Sequence, residues 1–200
     1  VFQRIGKRWS ESRNLGIENL NKERMAIKKP FNLTKWIEEN RELLKPPVGN
    51  KNMYVDSGDY IVMIVAGPNA RKDYHYNETE ELFYQLEGDI CVRIQENGQA
   101  VDVPLSTGDM FLLPAKTPHS PVRSENSIGL VIERKREASH KDGLMWFCEG
   151  CNTILHETYF KLSNIEKDFL PRFTHFYSSE DLRTCKTCGE VMDKDPRFVN

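Results

Sequence analysis

His75, Glu81 and His119 are the residues of this chain whose types and spacing could do chemistry. Two imidazoles and one carboxylate can take one face of an octahedral metal and leave the other positions open. That arrangement suits non-haem Fe(II) and oxygen chemistry. His75 and Glu81 lie in RKDYHYNETEELFYQLEG, and His119 lies in GDMFLLPAKTPHSPVR. Taken singly, each has a bland explanation. A lone histidine is usually structural or at the surface, and Glu81 alone would be a solvated carboxylate in an acidic run. Only the set points to a metal, because neutral imidazole is the commonest transition-metal ligand and a carboxylate keeps the site hard enough for oxygen ligands.

A second constellation is made of thiols. Four of the five cysteines form two CxxC pairs, Cys148/Cys151 and Cys185/Cys188. Four thiolates at this spacing give tetrahedral coordination of Zn or of a rubredoxin-like Fe. Disulfides within each pair would constrain little and would be unstable in a reducing cell. No secretory apolar segment precedes them, so a cytoplasmic setting is expected. A structural role is predicted: the metal pins a C-terminal segment expected to bury little apolar surface of its own. Cys91 has no partner in this scheme and is expected as a buried or half-buried strand residue. His140, His156 and His175 receive no role.

These residues must be positioned by a β-rich frame. FNLTKWIEENRELLKPP reads as a helix with Asn32 or Thr34 as its cap, ended by Pro46 and Pro47. From Asn52 the pattern changes to short strands: NMYVDSG, DYIVMIVAG, EELFYQLEG, DICVRIQEN, QAVDVPL, DMFLLPA and SIGLVIERK. The turn segments SGD, GPNA, EGD, ENGQ and STGD separate them. Short strands at regular spacing indicate a sandwich or barrel. In a small barrel, neighbouring strand ends can aim His75, Glu81 and His119 into one interior mouth. Beyond the linker EASHKDG, TILHETYFKL is β-like and SNIEKDFLPRFTHFYSSEDLR a helix or turn. Three parts are expected: an irregular N-terminal extension 1–24, a barrel 25–140 and a four-cysteine module 141–200. Met25 is a candidate start.

Composition narrows the function classes. At 200 residues, 38% hydrophobic and 29% charged, the chain reads as soluble and globular. A net charge of -2 favours neither nucleic acid nor an anionic membrane. No basic helix accompanies the CxxC pairs, and no apolar run approaches the roughly 20 residues of a membrane helix.

The motif spacing has a recognisable form. Gly67…His75…Glu81…Gly88 followed by Gly108…Pro114…His119 resembles the two motifs of the cupin superfamily, which implies a mainly β double-stranded β-helix, or jelly-roll barrel. There are departures. Asn77 stands where a second histidine is common, and Lys116 where a glycine usually follows the proline. RKDYHYNETEELFYQLEG, LLPAKTPHSPVR and LVIERKR, with FNLTKWIEENRELLKPPVGN and the paired CxxC, then resemble the 3-hydroxyanthranilate 3,4-dioxygenases of bacterial and fungal type. The resemblance runs from about Phe31 to about Gly189.

That resemblance implies iron ligands at His75, Glu81 and His119, and substrate contacts at Arg71, Arg123 and Glu133. Val48 and Asn50, in PPVGN, match the wall of the family's site. It implies Fe(II)-dependent ring opening of 3-hydroxyanthranilate with O2 to 2-amino-3-carboxymuconate semialdehyde. This product cyclises to quinolinate in NAD biosynthesis or tryptophan degradation. A homodimer and a second Fe or Zn at the cysteines are also implied. The residue chemistry agrees. A guanidinium binds an aromatic carboxylate bidentately, which suits Arg123. Glu133 can accept a hydrogen bond from an aromatic amine or hydroxyl. Arg71 can offset developing negative charge on oxygen.

Other readings exist. A metal-dependent isomerase would not need the open O2 position. A thiol dioxygenase would not need two arginines at the mouth. A non-catalytic cupin binding module would be expected to have lost a ligand, yet all three are present.

Overall fold

A computed structural model describes residues 29–45 and 49–199. Val48 and the segment 1–24 lie outside the described residues. The chain divides into two units, Val1–Asn40 and Arg41–Asn200. The first contributes one described helix, α1 (Leu33–Glu39). Its cap is Asn32, whose side chain accepts the Lys35 N–H at 2.9 Å.

The second unit opens with a short 3-10 turn, Arg41–Leu44. Eleven strands follow among the described residues: β1 (Asn50–Asn52), β2 (Tyr60–Ala66), β3 (Tyr74–Tyr76), β4 (Glu81–Glu87), β5 (Ile90–Glu96), β6 (Gln99–Leu105), β7 (Met110–Leu113), β8 (His119–Arg123), β9 (Ile128–Arg134), β10 (Asp142–Phe147) and β11 (Ile154–Phe160). Two helices close the chain, α2 (Ile165–Ser178) and α3 (Glu180–Arg183). Asn164 caps α2 at the Lys167 N–H, and Asp168 reaches back to accept the N–H groups of Ser163 and Asn164.

The strands form two antiparallel sheets, β1-β2-β9-β4-β7 and β11-β10-β3-β8-β5-β6. From β2 to β5 the chain alternates between sheets, turns back in the β5–β6 hairpin, and alternates again from β7 to β9. This is jelly-roll connectivity, the mainly β cupin-type fold that the motif spacing led us to expect. Strand alternation builds the core. Phe83, Ile90, Val92, Ile94, Leu105, Leu113 and Val131 pack between the sheets. On β2 the alternate residues Ile61, Met63 and Val65 line an open space, and Met63 and Val65 also pack against this core.

Three strands were not anticipated: β3, β8 and β10. Conversely, NMYVDSG contributes only Asn52 to a strand. β10 pairs with β3 and β11, so the C-terminal strands continue the barrel's sheet. The expectation that this segment buries little apolar surface does not hold. Leu144, Trp146, Phe160, Phe169, Phe176, Tyr177 and Met192 form their own buried cluster. Trp146 stacks on Phe176 with ring centroids 4.3 Å apart. Aromatic side chains bury large areas, so few of them suffice for a second core.

Candidate active site

A cavity of about 990 Å³ opens between the sheets. Asn50, Arg71, His75, Glu81, His119, Arg123 and Glu133 all line it, so every described residue singled out from the sequence for the barrel site meets there. Strand periodicity explains why: Glu81 and Phe83, His119 and Arg123, and Val131 and Glu133 are alternate residues facing inward on β4, β8 and β9. Register does the rest. His75 lies opposite His119, and Glu81 lies opposite Glu133.

The donor atoms of His75, Glu81 and His119 lie within 4.8 Å of one another. His119 Nε2 is 3.4 Å from Glu81 Oε2, and His75 Nδ1 is 3.9 Å from Glu81 Oε1. Each imidazole is held from behind. His119 Nδ1 donates to the Thr117 carbonyl at 3.0 Å, and His75 Nε2 donates to Asp142 Oδ2 at 2.7 Å. With those protons committed, the lone pairs of the other two nitrogens face Glu81. This is how a protein fixes imidazole tautomers for metal ligation. Burial works against the Glu81 charge, but His119 and His75 hold its carboxyl well below the usual carboxylate range. Burial lowers the pKa of His75, against the pull of Asp142. Burial also opposes the charge of His119, yet Glu81 raises its pKa overall. A divalent cation would take the place of that proton. The donor set therefore fits a metal that accepts two imidazoles and a carboxylate.

Four residues around the triad had no role assigned from the sequence. Asn77 stands at the position of the missing histidine. Its Nδ2 donates to Glu81 Oε1 at 3.1 Å and to Glu133 Oε2 at 2.9 Å. Its Oδ1 accepts from the N–H and hydroxyl of Thr79, which settles the amide orientation. Arg136 bridges the Glu133 and Asp142 carboxylates, each at 2.9 Å. Asp73 pairs with Arg71. The sequence signals for this network were the unusual Asn77 and the segment LVIERKR, which ends in Arg136; Asp142 looks like a linker residue until β10 docks on β3.

The cavity's charges differ in how they are satisfied. Burial opposes the charge of Arg71, but Asp73 raises its pKa overall. Arg123 is 4% exposed, burial lowers its pKa to about 10, and its Nη1 finds no acceptor among the described residues. Gly129 makes room for it, since a Cβ there would stand 3.0 Å from that nitrogen and 2.8 Å from Gln85 Oε1. A buried, uncommitted guanidinium is costly, and an incoming carboxylate satisfies it. Burial and the Glu81 carboxylate push Glu133 up to about 7, against the pull of Arg136.

The four paired cysteines also converge. Cys148 Sγ is 3.5 Å from Cys188 Sγ, and Cys151 Sγ is 3.5 Å from Cys185 Sγ. Four thiolates about 2.3 Å from a metal stand about 3.8 Å apart, so the cluster has the dimensions of a tetrahedral site. The two loops are near copies. The N–H of Asn152 donates to the Cys148 carbonyl and that of Gly189 to the Cys185 carbonyl, each at 2.9 Å. Both turn residues take left-handed backbone, φ 56° and 80°. The N–H groups of Cys188 and Thr187 hold the Cys185 thiol down to about 6.

A family model described as 3-hydroxyanthranilic acid dioxygenase matches residues 25–177. A 3-hydroxyanthranilate 3,4-dioxygenase from Xanthomonas campestris pv. campestris (strain B100) is 54% identical over 170 residues, 85% of this chain and 96% of that protein. A protein of the same name from Candida albicans is 44% identical over 167 residues, 84% of this chain and 96% of that one. A solved cupin-2 domain containing protein from Shewanella frigidimarina shares 18% identity at a TM-score of 0.42, over 50% of this chain and 92% of that one. Residues 25–177 include His75, Glu81 and His119, both cavity arginines and Glu133. With that coverage and identity, the chain belongs to the 3-hydroxyanthranilic acid dioxygenase family.

Proposed function

We infer that this protein is a 3-hydroxyanthranilate 3,4-dioxygenase that uses Fe(II) at His75, Glu81 and His119. One observation carries the assignment beyond family membership: the uncommitted, buried guanidinium of Arg123 shares one cavity with the convergent triad. Ferrous iron in such a site supplies the electron transfer and open positions that bring ring and O2 to react. The chain supplies binding, orientation and proton control. Arg123 takes the substrate carboxylate, which turns the ring's hydroxyl and amine toward the triad. Glu133, whose carboxyl is raised to about 7 by burial and the Glu81 carboxylate in the metal-free protein, accepts the ring hydroxyl proton on a carboxylate oxygen and can return it. Arg71 offers positive charge beside the triad for the developing oxyanion. Asn50 and the apolar side chains of Ile61, Met63, Val65 and Phe169 shape the wall and limit water. Val48 completes this wall in our reading. Ring opening between the third and fourth carbons gives 2-amino-3-carboxymuconate semialdehyde, which cyclises to quinolinate.

The reading extends to the rest of the molecule. The four cysteines hold Zn or Fe in a structural role, and the knuckle module 141–200 that carries them adds β10 and β11 to the sheet of the barrel 25–140. The protein works in the cytoplasm as a homodimer. Supporting the dimer, the outer face of the β2-β9-β4-β7 sheet exposes Tyr60, Met110 and Leu112. No helix among the described residues is long and apolar enough to cross a membrane.

Oxygen uptake by the Fe(II)-loaded protein on adding 3-hydroxyanthranilate tests the proposal. One O2 per substrate, with an optical product that decays to quinolinate, is expected. No uptake by protein whose triad is shown to hold iron would overturn it.

A further inference from the structure

The cavity has a contributor that no motif identified. Arg197, in the C-terminal tail, lines it together with Leu162 and Phe169. It lies beyond residues 25–177, the span of the family match. Its Nη2 donates to the Ala70 carbonyl at 2.9 Å, 127 residues away in sequence. Asp195 holds the same guanidinium, with Nε 2.9 Å from Oδ1 and 3.0 Å from Oδ2. Ala70 immediately precedes Arg71 in the loop between β2 and β3.

The tail that presents Arg197 is itself fixed. Phe198 packs 4.5 Å from the Phe173 ring and stacks 5.6 Å from Tyr177. Met192 is buried in the same cluster, and its N–H donates to the Arg183 carbonyl. Thr184 and Val191 form a bridge across the second cysteine knuckle. The other side of the β2–β3 loop is held by backbone bonds between Asn69 and Arg123, at 2.9 and 3.0 Å. The loop carrying Arg71 is therefore fastened on two sides: to β8 through Asn69 and through the Ser120 hydroxyl, which donates to the Arg71 carbonyl at 3.4 Å, and to the tail through Ala70.

We infer that Arg197 is a positioning residue for substrate binding, fastening the Arg71 loop through the Ala70 carbonyl. This rests on the proposed function for the identity of the substrate, not for the anchoring itself. With the bond intact, the loop keeps Arg71 at the cavity wall before substrate arrives, so its ordering costs nothing on binding. Without it the loop samples other positions, and binding must order it.

The test uses the full-length, Fe(II)-loaded protein with Arg197→Ala and Arg197→Lys. Hydrogen exchange across residues 67–73 is followed without substrate, and KM and kcat for 3-hydroxyanthranilate are measured by oxygen uptake. For Arg197→Ala we expect faster exchange in that segment and a KM raised about threefold or more, with kcat and iron content nearly unchanged. Arg197→Lys, whose ammonium can still donate to the carbonyl, should recover part of both effects. Unchanged exchange in Arg197→Ala overturns the inference. So does an unchanged KM in an active enzyme, or a joint loss of kcat and iron, which marks a general stability role. If wild type consumes no O2 but Arg197→Ala exchanges faster, the anchoring stands and the substrate assignment falls.

Discussion

At the scale of single residues, the site depends on side chains that touch no metal. Asp142 accepts the hydrogen bond that His75 Nε2 donates, and Arg136 and burial fix Asp142 in turn. Asp142→Asn keeps the shape but removes the charge that selects the tautomer. Iron affinity at the triad should fall about tenfold or more. Metal titration checks this, with the cysteine site binding as before. Glu133 makes a second prediction. Its folded pKa of about 7 lies above the ordinary 4.5, so the folded metal-free protein holds this proton more tightly than the unfolded chain does. Stability from this carboxyl is present below pH 4.5 and is lost as pH rises to about 7, then levels. Glu133→Gln cannot ionise. The stability of wild type relative to Glu133→Gln should therefore decline across that window in melts of metal-free protein. A flat difference would show that the carboxyl is not raised.

At the scale of elements, turns and knuckles decide how strands deliver their residues. Lys116, in the turn between β7 and β8, takes φ 66°, a left-handed conformation that glycine adopts freely. The departure from the motif is therefore one of residue type and not of geometry, and the Lys116 N–H still donates to the Asn77 carbonyl at 2.8 Å. Lys116→Gly should stabilise the protein by up to about 1 kcal/mol, since relief of the left-handed strain outweighs the added freedom of the unfolded chain. A melting temperature that falls would refute this. In the second knuckle, Cys185→Ser should abolish metal binding at the cysteines and cost on the order of 2 kcal/mol. Exchange should accelerate around residues 184–199, while the triad keeps its iron. Metal analysis and hydrogen exchange read both outcomes.

At the scale of the molecule, two antiparallel sheets enclose the cavity, and the outer face of one of them is the surface proposed for association. Tyr60, Met110 and Leu112 are each more than half exposed, at 53%, 65% and 55%, and all belong to one sheet. Charges placed there should separate the proposed dimer. Met110→Lys with Leu112→Glu should shift sedimentation from two chains to one and leave the triad's iron in place. A wild type that sediments as one chain would remove the proposal.

Much of this was legible before folding. His75, Glu81 and His119 and the two CxxC pairs announce themselves because ligand chemistry tolerates few residue types and sets their spacing, whereas Arg71, Arg123 and Glu133 were legible through the family resemblance. The strands β2, β4, β5, β6, β7 and β9 were legible too, since alternating apolar residues must face a core. β3 and β8 were not. Their inward positions hold His75, His119 and Arg123, so the residues that make the site also erase the hydrophobic period that would reveal the strand. Asp142 and Arg197 were beyond reach for another reason. A carboxylate 67 residues from His75 and an arginine 127 residues from Ala70 become partners only when β10 docks on β3 and the aromatic cluster fixes the tail. Which side chains could donate to a metal is a local property that the sequence by itself determined. The tautomers, the raised carboxyl of Glu133 and the fastening of the Arg71 loop were decided by tertiary structure alone, because each depends on burial and on charges brought together from distant parts of the chain.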